Sequence, residues 1–158
     1  MNLSISARRK DEVMRARTAT IGDLEAVFGH LSQRLGQDYA SSGVGAEAVR
    51  DALVMNLKEG RAHALVDGDL PLAIIAWHER DGRIHTLFAA QETFFRSSSV
   101  RFCKQHIKRI QALGGNLPVQ HTSWIPGPQV VRWFGLIGFA PQQGGTQTTV
   151  FELAPAVL

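Results

Sequence analysis

The sequence predicts one domain of mixed α+β class, in which helices and strands pack around a shared core. Apolar residues recur at helical spacing before residue 60 and again after residue 99, whereas the stretch between them has strand-like patterning. Two Asp-Gly pairs interrupt that central stretch, as expected for hairpin turns. With 158 residues, 44% of them apolar, the chain is long enough to bury a continuous core.

The first predicted elements are a short strand and two helices. Residues 14–19 predict the strand, and Thr20 with Asp23 three positions later gives a capping-box pattern at the start of the first helix. We expect a polar, glycine-containing break over residues 37–45 and a second helix over residues 46–57. The buried face of the first helix is predicted from four apolar residues: Leu24, Val27, Phe28 and Leu31.

The central stretch predicts a meander of three antiparallel strands. They cover residues 63–66, 72–77 and 84–89. If Asp81-Gly82 is a two-residue turn, His78 lies opposite His85 on the neighbouring strand. We interpret these histidines as an edge or surface pair and predict no metal site, because a third ligand at characteristic spacing is missing. A role for His85 as a proton acceptor stays open, since imidazole titrates near neutrality.

The last third of the sequence predicts helix, strand, helix and strand in turn. Residues 99–113 give a helix whose apolar face includes Cys103, and residues 114–116 (Gly-Gly-Asn) end it as a left-handed cap. A strand follows over residues 117–122, and Pro128 is acceptable in the first turn of the final helix. The last strand is expected over residues 148–153.

Composition and charge exclude several classes of protein. One cysteine excludes an intramolecular disulfide, and no apolar run reaches the roughly 20 residues of a membrane-spanning helix. We therefore expect a cytoplasmic protein. The net charge of +3 is too small and too dispersed to favour nucleic acid as a partner. Residues 1–13 are expected to form a basic, flexible extension, with Met14 as an alternative start, and residues 14–158 a single domain.

Three sequence features resemble the GNAT (GCN5-related N-acetyltransferase) superfamily. The first is the block from Pro128 to Pro141, in which a short helix is closed by Gly138-Phe139. The second is the opening stretch over residues 15–24, and the third is the Asp67-Gly68 turn before a strand rich in Ile and Ala. The resemblance covers nearly all of residues 14–153. It implies a GNAT-like fold, with a central twisted, mostly antiparallel sheet of six to seven strands flanked by about four helices.

The resemblance also implies a binding site for acetyl-CoA where the fourth and fifth strands splay apart. In the family, the pyrophosphate lies on a Gln/Arg-x-x-Gly-x-Gly/Ala loop, whose counterpart here is residues 91–99. Phe94 and Arg96 stand at the two small positions of that loop, and Glu92 adds a negative charge beside it. Arginine and serine side chains could hold the phosphates instead. In the alternative interpretation, the serines cap a helix and Arg96 is a surface residue. The cofactor-binding residues implied are Thr86, Leu87, Phe88, Ala89, Gln91, Arg96, Ser97, Ser98 and Arg101.

The catalytic residues implied by the resemblance are an acid and a base. The family's tyrosine, the usual acid for the departing thiolate, is replaced by Phe134, so water or Ser123 would have to act instead. Ser123 follows the predicted fifth strand at the edge of the cleft. The base that deprotonates the amine could be Glu79, His85 or His121.

A narrower resemblance is to the small GNAT-like proteins of T7-like tailed bacteriophages. It rests on residues 94–99 and 132–139. Two hypotheses follow for the function of the chain. One is an N-acyltransferase that modifies a lysine or the amino terminus of a protein and takes part in host takeover. The other is a catalytically silent GNAT-fold module that binds a host or virion protein, in an oligomeric state that the sequence leaves open.

Overall fold

A seven-stranded sheet organises the chain, with the strands in the order β1-β2-β3-β4-β5-β7-β6. The computed structural model describes residues 14–97, 100–124, 127–142 and 148–157. Neighbouring strands are antiparallel except β4 and β5, which are parallel. This arrangement confirms the predicted mixed α+β class. The strands are β1 (Met14–Thr18), β2 (Ala62–Asp67), β3 (Leu70–Arg80), β4 (Arg83–Ala90), β5 (Val119–Ser123), β6 (Ala140–Pro141) and β7 (Thr149–Leu153).

Helices cover both faces of the sheet and divide the core into two clusters. Within the described ranges they are α1 (Ile21–Phe28), α2 (Gln33–Ser41), α3 (Gly45–Lys58), α4 (Glu92–Ser97), α5 (Val100–Leu113) and α6 (Pro128–Leu136). Residues of α1, α2 and α3 pack in one cluster, around Leu24 and Leu53. Residues of α4, α5 and the segment after α6 pack in the other, around Phe94, Ile107 and Phe139. None of the described helices has the length and apolarity needed to span a bilayer.

The predicted break at residues 37–45 is wrong over its first half, because helix α2 continues to Ser41. Leu35 and Tyr39 lie one helical turn apart and both pack against the core, so the segment gains enough burial to overcome its polar composition. Tyr39 is buried. Likewise, residues 92–97, predicted as part of a phosphate loop, form the short helix α4.

Turns and caps follow the sequence closely. Asp81 and Gly82 both have positive φ, 56° and 73°, as a two-residue hairpin turn requires, and His78 pairs with His85 as predicted. Thr20 and Asp23 form the predicted capping box at α1. Gly115 and Asn116 end α5 in the left-handed region. The predicted N-terminal extension, residues 1–13, lies outside the described residues.

Candidate functional site

Strands β4 and β5 pair only at one end. Their register joins Ile84 to Val119 and His85 to Gln120, and the strands diverge beyond those residues. A cavity of about 280 Å³, hereafter the central cavity, lies at the divergence. It is lined by Thr86 and Phe88 from β4 and by His121 and Ser123 from β5. The splay inferred from the family resemblance is therefore present, and a cavity adjoins it.

The central cavity has a polar wall and an apolar floor. Thr86, His121 and Ser123 form the polar wall at the splayed strands, and Arg34, Asp38 and Gln129 line the end that reaches solvent. The floor is formed by side chains that are each at most 7% exposed: Leu65, Ile75, Phe94, Cys103, Ile107 and Phe139. A ligand bound here would meet polar groups near its entrance and an apolar surface at its inner end.

A chain of hydrogen bonds fixes the tautomer of His121. The hydroxyl oxygen of Thr86 lies 3.1 Å from the Gln120 carbonyl oxygen and 3.0 Å from His121 Nδ1. A carbonyl only accepts, so both contacts are hydrogen bonds only if Thr86 donates to Gln120 and His121 Nδ1–H donates to Thr86. The lone pair of His121 then lies on Nε2, which is the ring nitrogen that can accept a proton.

Burial keeps His121 neutral. Desolvation lowers the pKa of His121 below its ordinary value, and the nearby Asp38 and a hydrogen bond with the Thr86 backbone oppose this only in part. The imidazole stacks on Phe134, with ring centroids 5.2 Å apart. Phe134 stands where the family's tyrosine is expected, and its ring carries no acidic group. A neutral imidazole in a cavity is the form that general base catalysis requires.

Two more histidines meet at the inner side of the central cavity. His63 Nδ1 on β2 and His106 Nε2 on α5 lie 2.9 Å apart, and both side chains are buried. Burial, with smaller contributions from His63 and Arg109, lowers the pKa of His106 to about 3. Burial likewise lowers the pKa of His63. Both rings are neutral at pH 7, so one donates and the other accepts, and His106 presents no charge to the cavity.

Helix α2 and the residue before it cover part of β4 where that strand has separated from β5. The Tyr39 hydroxyl donates to the Phe88 carbonyl oxygen, and the Ser32 amide donates to the Ala90 carbonyl oxygen at 2.8 Å. Burial raises the pKa of Tyr39, so its hydroxyl stays protonated and remains a donor. Two of the β4 carbonyl groups are therefore occupied within the protein.

The predicted cofactor-binding residues lie in several different environments. Thr86 and Phe88 line the central cavity, whereas Leu87 and Ala89 pack in the cluster on the opposite face of the sheet. Gln91 donates its side-chain amide to the Ala26 carbonyl at 3.0 Å. Three further predicted residues lie around α4 and α5: Arg96 and Arg101 are exposed, and Ser97 is the last residue of α4. Ser98 lies outside the described residues. The cofactor-binding role of all these residues stays a prediction.

Helix α4 contains most of the residues that the resemblance matches to the family's glycine loop. Glu92 accepts a hydrogen bond from the Ser32 hydroxyl at 2.8 Å, and Phe94 is 1% exposed, so neither residue leaves a glycine-like opening for phosphate. Arg34 lies over the ring of Phe95, 4.5 Å from its centroid, at the solvent end of the cavity.

The predicted catalytic residues are not all brought together. Ser123 is 5% exposed and lines the central cavity close to His121 in the sequence. Glu79 and His85 do not line it: Glu79 is exposed opposite Ile84, and His85 Nε2 lies 3.3 Å from the Arg80 carbonyl oxygen. The predicted face-to-face pair of His78 and His85 is present, with ring centroids 5.4 Å apart. No cluster of three or more metal-ligating side chains occurs within the described ranges.

Sequence reasoning missed the contribution of α2, which brings Arg34 and Asp38 to the cavity and Tyr39 to β4. The helical spacing of Leu35 and Tyr39 was a usable signal for this helix. The pairing of His63 with His106 joins residues 43 positions apart and had no local signal. His121, by contrast, was among the three bases considered.

Comparisons with known proteins support the same architecture. The sequence matches no protein-family model, and it has no significant match among curated proteins. Solved structures do match. The PaiA N-acetyltransferase of Thermoplasma acidophilum, in complex with coenzyme A, has a TM-score of 0.67 at 11% identity, over 89% of this chain and 98% of that one.

Two further structures are similar over comparable lengths. A GNAT-family acetyltransferase from Bacillus anthracis has a TM-score of 0.66 at 14% identity, over 91% of this chain and 96% of that one. The ribosomal-protein-S18-alanine N-acetyltransferase of Escherichia coli has a TM-score of 0.67 at 10% identity, over 92% and 96% of the two chains. The chain therefore has the GNAT fold, as its sequence features predicted.

Proposed function

We propose that this protein is an N-acyltransferase that uses an acyl-CoA, acetyl-CoA in the simplest case, to acylate an amine. The observation that supports this most directly is His121, a neutral imidazole that lines the central cavity and has its lone pair on Nε2. The GNAT fold and the divergence of β4 and β5 around that imidazole add support. Fold alone does not establish activity, so the proposal rests on the site.

In the proposed acyl transfer, the cofactor provides the acyl group and the side chains of this protein handle the proton and the charges. When bound, the acyl-CoA supplies an activated carbonyl as a thioester. His121 Nε2 takes the proton that the amine must lose, and Thr86 holds the ring in the tautomer that permits this. Asp38, at the solvent end of the cavity, attracts a cationic amine. Ser123, which lines the cavity, donates a hydrogen bond to the leaving group in this proposal, in the role left open by Phe134.

Arginine side chains would hold the phosphates of the cofactor. Arg96 and Arg101 flank the segment between α4 and α5, and both side chains are exposed. A guanidinium group binds phosphate oxygens through paired N–H donors, which can replace the amides of a glycine loop.

This proposal is tested by calorimetric titration with acetyl-CoA. We expect saturable binding, with Kd raised about three- to tenfold by Arg96→Ala or Arg101→Ala, as for one charge-assisted contact at an exposed site. Arg80→Ala, an exposed arginine at the β3–β4 turn, is the matched control and should leave Kd unchanged. Absence of saturable binding by acetyl-CoA and by longer acyl-CoA molecules at millimolar concentration would contradict the proposal.

For the acceptor we propose a lysine or the amino terminus of a protein. The resemblance of residues 94–99 and 132–139 to phage GNAT-like proteins supports a host protein as the target, met in the host cytoplasm. Incubation with acetyl-CoA and a host lysate, followed by mass spectrometry, should show acetyl groups that are absent with the His121→Gln variant.

A second candidate is a binding module without catalysis. The observation that favours it is that groups expected to bind the cofactor in the family form hydrogen bonds within this protein instead. Gln91 is hydrogen-bonded to Ala26, Glu92 to Ser32, and the Phe88 carbonyl to Tyr39. This candidate predicts recovery of a host or virion protein in a pull-down, with no acetylation of that partner. Cofactor-dependent acetylation of the recovered protein would reject it.

A further inference from the structure

We infer that the acyl group carried into the central cavity is a medium-length aliphatic chain of about six to eight carbons, rather than acetyl. This inference rests on the proposed acyltransferase function and names the substrate class of the same site. It follows from the depth of the cavity, from the chemistry of its inner end and from the position of its polar groups.

The cavity is deeper than an acetyl group needs. Its lining includes Thr86 on β4 and Leu65 on β2, which are separated by strand β3. Two strand spacings amount to roughly 10 Å. The volume of about 280 Å³ is far larger than the roughly 10–15 Å³ that a cavity needs to admit one water. A methyl group is about the size of one water, so the methyl of an acetyl group would leave most of the cavity empty.

The inner end of the cavity is suited to hydrocarbon. Leu65, Ile75 and Ile107 meet there and are each at most 7% exposed. The polar side chain at this end, His106, is hydrogen-bonded to His63 and carries no charge at pH 7. A charged or strongly polar chain would lose its hydration without finding new partners there, whereas each buried methylene is favourable.

The polar groups place the acyl chain, and not the amine, at this inner end. Asp38 lies toward solvent, where a cationic amine arrives first, and His121, Thr86 and Ser123 lie on the wall at the splayed strands. If the reacting carbonyl sits beside His121, the amine approaches from the side of Asp38. The acyl chain then extends in the opposite direction, toward Leu65 and Ile107.

The test is a calorimetric series with acetyl-, butyryl-, hexanoyl- and octanoyl-CoA, kept below the concentrations at which they form micelles. We expect Kd to fall about fourfold for each added methylene up to eight carbons. A flat or rising series, with saturable acetyl-CoA binding, overturns this inference and leaves the proposed function intact. Absence of binding by every member of the series overturns both.

A pair of variants separates cavity binding from non-specific adhesion of the chain. Ile107→Phe fills the inner end, and we expect it to weaken octanoyl-CoA binding more than tenfold while acetyl-CoA binding changes less than twofold. Leu113→Phe, on the same helix but 61% exposed, should change neither Kd. Equal octanoyl-CoA binding by the wild type and a folded Ile107→Phe variant would overturn the inference. If that variant does not fold, the wild-type series decides.

Discussion

Replacing His121 with glutamine should lower kcat for acyl transfer about 10²- to 10⁴-fold, the usual contribution of a general base. The expected cause is loss of the Nε2 lone pair, because the Thr86 hydroxyl keeps that atom unprotonated in the wild type. The measurement is the steady-state rate of CoA release with an amine acceptor. Acyl-CoA affinity should change little, since the side chain acts on the amine.

The pH dependence gives an independent check on His121. Burial lowers its pKa below 6.5, so the neutral, base-competent form predominates at pH 7 and is lost only as the pH falls through the lowered value. We expect the wild-type kcat/KM to decline only at a pH lower than an ordinary histidine's titration range, and this decline to be absent from the residual activity of His121→Gln.

Two control variants distinguish His121 from the other bases considered. His85→Gln and Glu79→Gln change residues that do not line the central cavity, so each should retain kcat within about twofold. A large loss of kcat in either of these variants, with His121→Gln active, would move the base to the β3–β4 hairpin and contradict the site described above.

Replacing Phe94 with alanine should lower the free energy of unfolding by about 3–5 kcal/mol. Phe94 is 1% exposed, and its ring contacts those of Phe88 and Phe95, with centroids 5.5 and 5.6 Å away. Truncation leaves a void beside the central cavity that the surrounding structure cannot fill completely. Urea unfolding at pH 7.5, followed by circular dichroism, measures the change.

Phe94→Leu is the matched control for this stability effect. It keeps most of the apolar volume and should cost clearly less than alanine, about 1–2 kcal/mol. A loss below 1 kcal/mol for Phe94→Ala would show that α4 contributes little to the core. In that case the family's glycine could be restored at this position without harm, contrary to the structure described here.

Local chemistry made much of the fold predictable from the sequence. The Asp81-Gly82 turn fixed the register that pairs His78 with His85, and Thr20 with Asp23 located the start of α1. These signals lie within a few residues of the structure they specify, so no knowledge of packing was needed. The Gly138-Phe139 pair is a local signal of the same kind, because it indicates the end of the last helix.

The rest of the site depends on contacts between distant parts of the chain. Tyr39 meets Phe88 across 49 positions, and Thr86 meets His121 across 35. Helix α2 has a polar composition and forms because Leu35 and Tyr39 find a core to pack against. Packing also decides which of the three candidate bases lines the cavity. Sequence patterns alone could not show which base that is.

The most direct test of the account is a crystal structure determined with octanoyl-CoA or acetyl-CoA bound. The account predicts density for the thioester between the splayed ends of β4 and β5, with its carbonyl beside His121 and the acyl chain directed toward Leu65. A cavity filled by Phe94, or cofactor bound away from Thr86 and His121 at millimolar concentration, would contradict it.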